Sequence, residues 1–415
     1  MTQAYYSGLA GMRTSSSAID VTSNNIANID TVGYRSSEAE FASLFETSIA
    51  SGDGMIEDIG TGSRVQTTTM STEQGALMLS DRNTDMAIEG EGWFGVQGNG
   101  DPMYTRDGGF VFNSNDDLVT TDGMYVLGTI GNNINADNVL TEQIDSIDLG
   151  TVETQEKLRF PKTLTYPTEP TQNAKFMANI GVGDEPVTIG ASVIDPQNNK
   201  NHLRLEFRRK ETQTPPGTQY DVTAKVLSAD GKTEYSSVDG EVSFDSAGAL
   251  SSTTLTTIDN NGQEIAIDLG TGFDGITSID VPEIASGSSI ADGTEGGDLE
   301  GYSVNANGEV IATFTNGEQS SVGKIAVYHF QNDEGLERIS GTKFQESSNS
   351  GKAIFYTDET GKTINGTNIT NFALEASNAD YTVSLTELII YQRAYDANSK
   401  SITTADQMIQ KALDM

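Results

Sequence analysis

The sequence predicts a mainly β fold with terminal α-helices, its β domains nested one within another on a coiled-coil-like helical base. Three observations point there. Both ends carry apolar residues at alternating three- and four-residue spacings, the period of a helical stripe. Between them the period falls to two, in short runs bracketed by Asn-Gly and Asp-Gly steps that favour hairpin turns. All nine prolines lie between Pro102 and Pro282, so neither end holds a helix breaker.

The N-terminal stripe runs through Tyr5, Leu9, Met12, Ser16, Ile19, Ser23 and Ile26. The C-terminal one runs through Leu388, Tyr391, Tyr395, Asn398, Ile402, Ala405, Ile409 and Ala412, with Ser377 and Asp380 placed to cap its start. A helix of about 25 residues is about 37 Å long, and a narrow apolar stripe of that length must be buried. The two ends are expected to pair as an antiparallel hairpin. Tyr6, Ile389, Ile390 and Met408 fall off the seam, so neighbours beyond one partner helix are expected as well.

The first helix should stop within "DVTSNNIANIDTVGYR". Asn24, Asn25 and Asn28 suit a helix end, because Asn tolerates the left-handed region and bonds its own backbone. Gly33 then permits a turn, with Thr31 and Tyr34 on either side. This explains a helix stop but not three amides.

In the β part, "GEVIATFTNGE" puts Val310, Ala312 and Phe314 on one face, between Asn307-Gly308 and Asn316-Gly317. "KIAVYHF", "DMAIEGEGWFGVQGNG" and "MYTRDGGFVFNSNDDLVTTDGMYVLG" read as further short strands, as do "HLRLEFRRK" and "QYDVTAKVL". The expected division is a helical core of residues 1–30 and 375–415 and a connecting region of 31–70 and 345–374. An inner β domain takes 71–150 and 300–344, and an outer inserted β domain takes 151–299.

Sixty acidic residues against 24 basic ones give a net charge of −36, which disfavours nucleic acid and anionic lipid as partners. No apolar run approaches the roughly 20 residues of a spanning helix, so membrane insertion is not expected. The first twenty residues contain no apolar h-region, so no cleaved signal peptide is expected. The chain has no cysteine and two histidines, His202 and His329, which leaves little for a metal centre or a catalytic triad. "NSNDDLVTTDG" lacks the glycine and glutamate of a calcium loop, and "EGEGWFGVQGNG" lacks the Lys-Ser/Thr of a phosphate loop. No enzyme activity, cofactor or metal is expected. Arg204, Arg208, Arg209 and Lys210 form the most basic stretch. Either they balance nearby carboxylates on a strand face, or they dock an acidic patch of another copy.

Four segments in order carry a family resemblance. "SGLAGM…DVTSNNIANIDTVGYR", "TDMAIEGEGWFGVQ…YTRDGGFVFNSNDDLVTTDGMYVLG", "GYSVNANGEVIATFTNGEQSSVGKIAVYHFQNDEGLERISGTKFQESSNSG" and "LEASNADYTVSLTELIIYQRAYDANSKSITTADQMIQKALDM" resemble the axial rod–hook family of the bacterial flagellum. The insert from about Thr151 to Glu300, with "EVSFDSAGALSSTT", is similar to the outer domain of the family's hook branch. The resemblance implies a structural subunit of the extracellular flagellar hook. It implies self-assembly into a curved helical tube that passes torque from rod to filament. Implied partners are further copies of the chain, the distal rod protein, the hook cap, the hook–filament junction proteins and the flagellar export apparatus. Export without a cleaved signal would follow, and a cysteine-free chain suits threading into an oxidising exterior. The seam residues would then be assembly surfaces, and some Asn amides would bond neighbouring subunits. The alternatives are a distal rod or other axial protein, an unrelated secreted β adhesin-like module, and an acidic hydrolase.

Overall fold

The computed structural model describes residues 2–44, 47–50, 56–59, 62–280 and 288–413. Helix α1 (Thr2–Ala27) and helix α2 (Tyr381–Leu413) pack on one another, and the rest is mainly β. Helix α2 starts where the Asp380 carboxylate accepts the Val383 amide at 2.9 Å, so Asp380 is itself the N-cap, three residues beyond the Ser377 that a capping box would place there. Helix α1 stops where the Asn28 amide turns back to the Asn24 carbonyl at 3.2 Å.

A long antiparallel hairpin, Ser37–Ser43 with Ser63–Met70, follows α1 and packs along it. Thr14 Oγ1 donates to the Ser63 carbonyl at 2.9 Å, tying hairpin to helix. Residues 45–46, 51–55 and 60–61 of the expected connecting region lie outside the described residues. Residues 345–374, grouped with that region from sequence, pack instead with the inner β domain. Asn368–Asn371 pairs with Met86–Glu89, and Lys343–Gln345 pairs with Met103–Thr105.

The inner domain is a winding sheet whose main path runs from Gly297–Val304 through Glu309–Phe314, Gln319–Ile325, Tyr125–Ile130, Trp93–Gln97 and Met103–Thr105. Alternation sets its core: Val310, Ala312 and Phe314 are fully buried along one strand, facing Phe94, Val96, Leu118 and Val322. Leu158, Phe160, Leu164 and Tyr166 belong to this same core, and Thr165–Tyr166 pairs with Gly297–Val304. The inserted domain therefore begins near Thr171 rather than Thr151, because the apolar side chains of "EKLRFPKTLTY" are needed to close the inner sheet.

The outer domain stacks two sheets over one core. A five-stranded meander runs Val187–Ile194, Lys200–Arg209, Thr218–Leu227, Glu234–Phe244 and Leu250–Thr253. In Lys200–Arg209 the side chains of Leu203, Leu205 and Phe207 are buried while those of His202, Arg204 and Arg208 face out. They register against Val226, Ala224 and Val222. The second sheet, built around Asn173–Asn179, adds Phe176, Ile265 and Ile276 from the other side.

Six hairpin loops share one design. The side chain of Asn113, Asn135, Asp195, Asp245, Asn305 or Asp358 accepts the amide two residues on. The fourth residue of each loop takes a positive φ, for example Asp116 at 62° and Gly308 at 73°. The oxygens of "NSNDDL" thus close a turn, with Asn113 Oδ1 accepting both the Asn115 and Asp117 amides. Among the described residues no three His, Asp or Glu side chains gather as metal ligands.

Candidate functional site

The two helices meet through small residues. A Cβ at Gly8 would stand 2.9 Å from Ile402 Cγ1, and one at Gly11 would stand 2.6 Å from Asn398 Nδ2. At Gly8 the Asn398 carbonyl, 3.3 Å from such a Cβ, also closes the space, whereas at Gly11 the end of the Asn398 side chain would have to move. The other buried positions of α1 are Thr14, Ser15, Ala18, Thr22 and Asn25, and those of α2 are Ser384 and Ala405. Leu9, Met12, Ile19 and Ile26, with Leu388, Tyr391, Ile402 and Ile409, straddle this contact half-buried. Tyr5 and Tyr395 remain 39% exposed. The expected heptad seam is thus not a closed apolar core: polar and small residues hold the centre, and the large apolar ones keep free surface. Tyr6, Ile389, Ile390 and Met408 are exposed. Tyr391 also meets Phe41 of the hairpin edge-on, at 5.9 Å between ring centroids.

Below the seam, the amides of the Asn-rich segment bond within the chain. Asn25 Nδ2 donates to the Ser37 carbonyl at 2.8 Å while its Oδ1 accepts the Ser37 amide at 3.0 Å. Tyr34 Oη donates to Asn25 Oδ1, and Asn24 Nδ2 donates to Tyr34 Oη, both at 3.2 Å. Asn28 Nδ2 donates to the Asn24 carbonyl at 2.9 Å, and Thr31 Oγ1 donates to Asn28 Oδ1 at 3.2 Å. The expectation that such amides reach neighbouring subunits fails for Asn25, which is buried with both ends of its amide engaged. Gly33, at φ +66°, lets its amide donate to the Glu375 carbonyl at 2.7 Å, and a side chain there would overlap the Asp107 amide.

Glu375 is the centre of the junction. Its carboxylate takes Arg35 Nη2 at 2.9 Å, Arg106 Nη1 at 3.2 Å and the Gly75 amide at 2.9 Å, all buried. Arg35 follows α1, Glu375 precedes α2, and Gly75 and Arg106 belong to the inner domain, so one carboxylate joins every segment that crosses between helices and sheet. Burial pulls the Arg106 guanidinium down to about 10, against the opposing pull of Glu375, and lowers Arg35 likewise. Arg106 also stands 5.4 Å from the Trp93 ring. Arg338 lies over Tyr34 at 4.8 Å and donates to the Arg35 carbonyl. Sequence reasoning missed Gly8, Gly11, Arg106 and Glu375. The glycine pair in "SGLAGM" at three-residue spacing was a usable signal, whereas nothing local says that "YTRDGG" and "LEASNAD" meet.

The basic stretch is balanced from within. Arg208 pairs with Glu206 at 2.7 Å, Arg209 with Asp184 at 3.0 Å, and Lys210 with Glu241 at 2.6 Å. Arg204 faces out with no ion pair among the described residues. His329 is buried, its Nε2 2.6 Å from the Asn365 carbonyl and its ring 4.3 Å from Tyr356, with burial holding its pKa below the usual value.

Three families of known proteins match parts of the chain. Residues 6–35 match "Flagella basal body rod protein", 87–153 match "Flagellar hook protein FlgE/F/G D1 domain", and 371–415 match "Flagellar basal body rod FlgEFG protein C-terminal". The chain is 27% identical to the flagellar hook protein FlgE of Borreliella burgdorferi, over 99% of both chains. It is 26% identical to that of Escherichia coli, over 99% of this chain and 100% of the other. Among solved structures, Helicobacter pylori flagellar hook protein FlgE2 is similar in fold, with a TM-score of 0.53 at 17% identity, covering 72% of this chain and 100% of that one.

Proposed function

We propose that the chain is a member of the axial rod–hook family of the bacterial flagellum and the structural subunit of the hook, polymerising into a curved tube that passes torque from rod to filament. The observation that carries this reading is similarity to hook proteins along the whole length, the inserted outer sandwich included. Helices α1 and α2 would bundle with those of neighbouring copies around a central channel, using the apolar surface that their own contact leaves uncovered. Identical copies joined by heterologous, non-closing contacts generate a helical polymer. The β domains would stack outside and shear slightly as the tube bends. The Glu375 junction would carry load between helices and sheet.

The same reading places the chain outside the cell, exported without a cleaved signal by the flagellar export apparatus. Its neighbours in the axis would be the distal rod protein, the hook cap and the hook–filament junction proteins. It assigns no catalytic role. Deleting the gene tests it: cells should keep rods but lose hooks and filaments, with motility restored by the gene in trans. Normal curved hooks on the deleted cells would overturn the assignment.

A further inference from the structure

We infer that the ribbon formed by Leu77–Leu79 and Ala373–Glu375 is a docking surface for a second copy of this chain. The inference rests on the hook reading and names a surface that the helical seam does not include.

Three apolar residues in a row are uncovered on this ribbon. Leu79 is 96% exposed, Leu77 40% and Met78 44%. Consecutive side chains of a strand point to opposite faces, so both faces of the ribbon are open. A run of exposed apolar residues on a strand is a hazard that soluble proteins avoid unless it is used. Leu77–Leu79 pairs with Ala373–Glu375 on one edge and has no other strand partner among the described residues. A row of backbone groups is therefore also open to a partner.

A second, independent observation lies beside it. Phe372, whose carbonyl accepts the Ser80 amide at 2.8 Å, sits at φ +54° and is 44% exposed. A bulky residue adopts that region only against steric resistance, and such strain collects where a surface is shaped for a contact. Here it sets an aromatic ring beside the exposed leucines.

The charge pattern selects the occupant. Two chains of net charge −36 repel as wholes. Residues 74–80 and 371–374 carry no charge at all, so this ribbon is a place where like copies can touch without desolvating carboxylates. The ribbon also runs through Glu375 into α2, where Tyr381, Leu385 and Ile389 leave further apolar side chains exposed along one face of the helix. One uncovered surface thus leads to another along the element that the family reading places in the polymer.

The test uses purified full-length chain, wild type and Leu79→Asp, with Leu79→Ala as the milder change. Because Leu79 is 96% exposed, both variants should unfold thermally where wild type does. Sedimentation of polymer against protein concentration should show the critical concentration rising at least about tenfold for Leu79→Asp and less for Leu79→Ala. Polymerisation of Leu79→Asp at the wild-type concentration would overturn the ribbon contact while leaving the hook reading intact. Normal polymer with lost motility would overturn it too, by assigning the ribbon to a different component. Failure of the wild-type chain to polymerise would overturn the hook reading, and the ribbon contact with it.

Discussion

The outer sandwich and the helical base solve burial in opposite ways. In the sandwich, Leu203, Leu205, Phe207, Tyr220, Val222 and Val226 are each at most 2% exposed, and charged residues face out. In the base, the buried positions include Gly8, Thr14, Ser15, Ala18, Thr22, Ser384 and Ala405, while Tyr6, Ile389, Ile390 and Met408 stand in solvent. The sandwich satisfies its apolar surface within one chain. The base does not, and in the hook reading a pair of helices holding small residues between them and large ones outside would be half of a larger contact. On the proposed function, that difference would separate what stabilises the subunit from what builds the polymer.

The largest test of the comparison removes the base. Deleting Met1 to Asp30, or Ala376 to Met415, should abolish polymer in a sedimentation assay. The sandwich should keep its urea midpoint, because none of its core residues lies in either segment. A shifted midpoint would show that the two regions are not independent.

The junction between them should respond next most strongly. Glu375→Ala leaves Arg35 and Arg106 buried without their carboxylate, which costs about 3–5 kcal/mol in comparable sites. Trp93 is the single tryptophan and lies against Arg106, so its fluorescence in urea follows this region. The sandwich core offers the comparison: Phe207→Ala should cost about 3–5 kcal/mol by opening a cavity, without moving the Trp93 transition. An unchanged Trp93 transition in Glu375→Ala would show that the ion triad does not hold the joint.

The regularity of each region decided how much of it was legible in the sequence. Period-two strands with Asn-Gly turns gave the sheet faces residue by residue, because alternation and turn chemistry are local. Helix existence was legible for the same reason, and the start of α2 to within three residues, since Asp380 rather than Ser377 caps it. The outer boundary was misplaced by some twenty residues: "EKLRFPKTLTY" holds two-residue strands and scattered apolar positions, whose destination is set by tertiary packing. The seam was read from large apolar residues when small and polar ones line the contact between the helices. The Arg35–Glu375–Arg106 triad was invisible, since Glu375 lies hundreds of residues from both arginines and none of the three has a local pattern.

A smaller effect separates the three amides that end α1. Asn25→Ala removes a buried group bonded to both backbone groups of Ser37, and should cost about 1–3 kcal/mol. Asn24→Ala, at an exposed position with a bond to Tyr34 Oη, should stay within about 0.5 kcal/mol. Chemical denaturation of the two variants checks the order. Equal losses would return the segment to a simple helix stop, in which each amide caps and none clips the chain.

The smallest effect is a pH dependence confined to the inner domain. Burial holds His329 below the ordinary histidine value, while Asp333 and Glu91 pull it up and Arg106 pushes it down. Between the lowered folded value and 6.5 the unfolded chain therefore binds more protons than the folded one, so stability falls as the pH drops through that window. Above 6.5 the group contributes nothing to the slope. His329→Gln keeps a donor for the Asn365 carbonyl but cannot titrate. Between pH 7.5 and pH 5 the melting temperature of the wild-type chain should fall further than that of the variant. The sandwich holds no buried histidine, since His202 faces solvent on its strand, so its own transition should not share the difference. Equal falls for wild type and variant would mean that His329 accepts its proton without disturbing the packing of Tyr356 and the 363–368 turn.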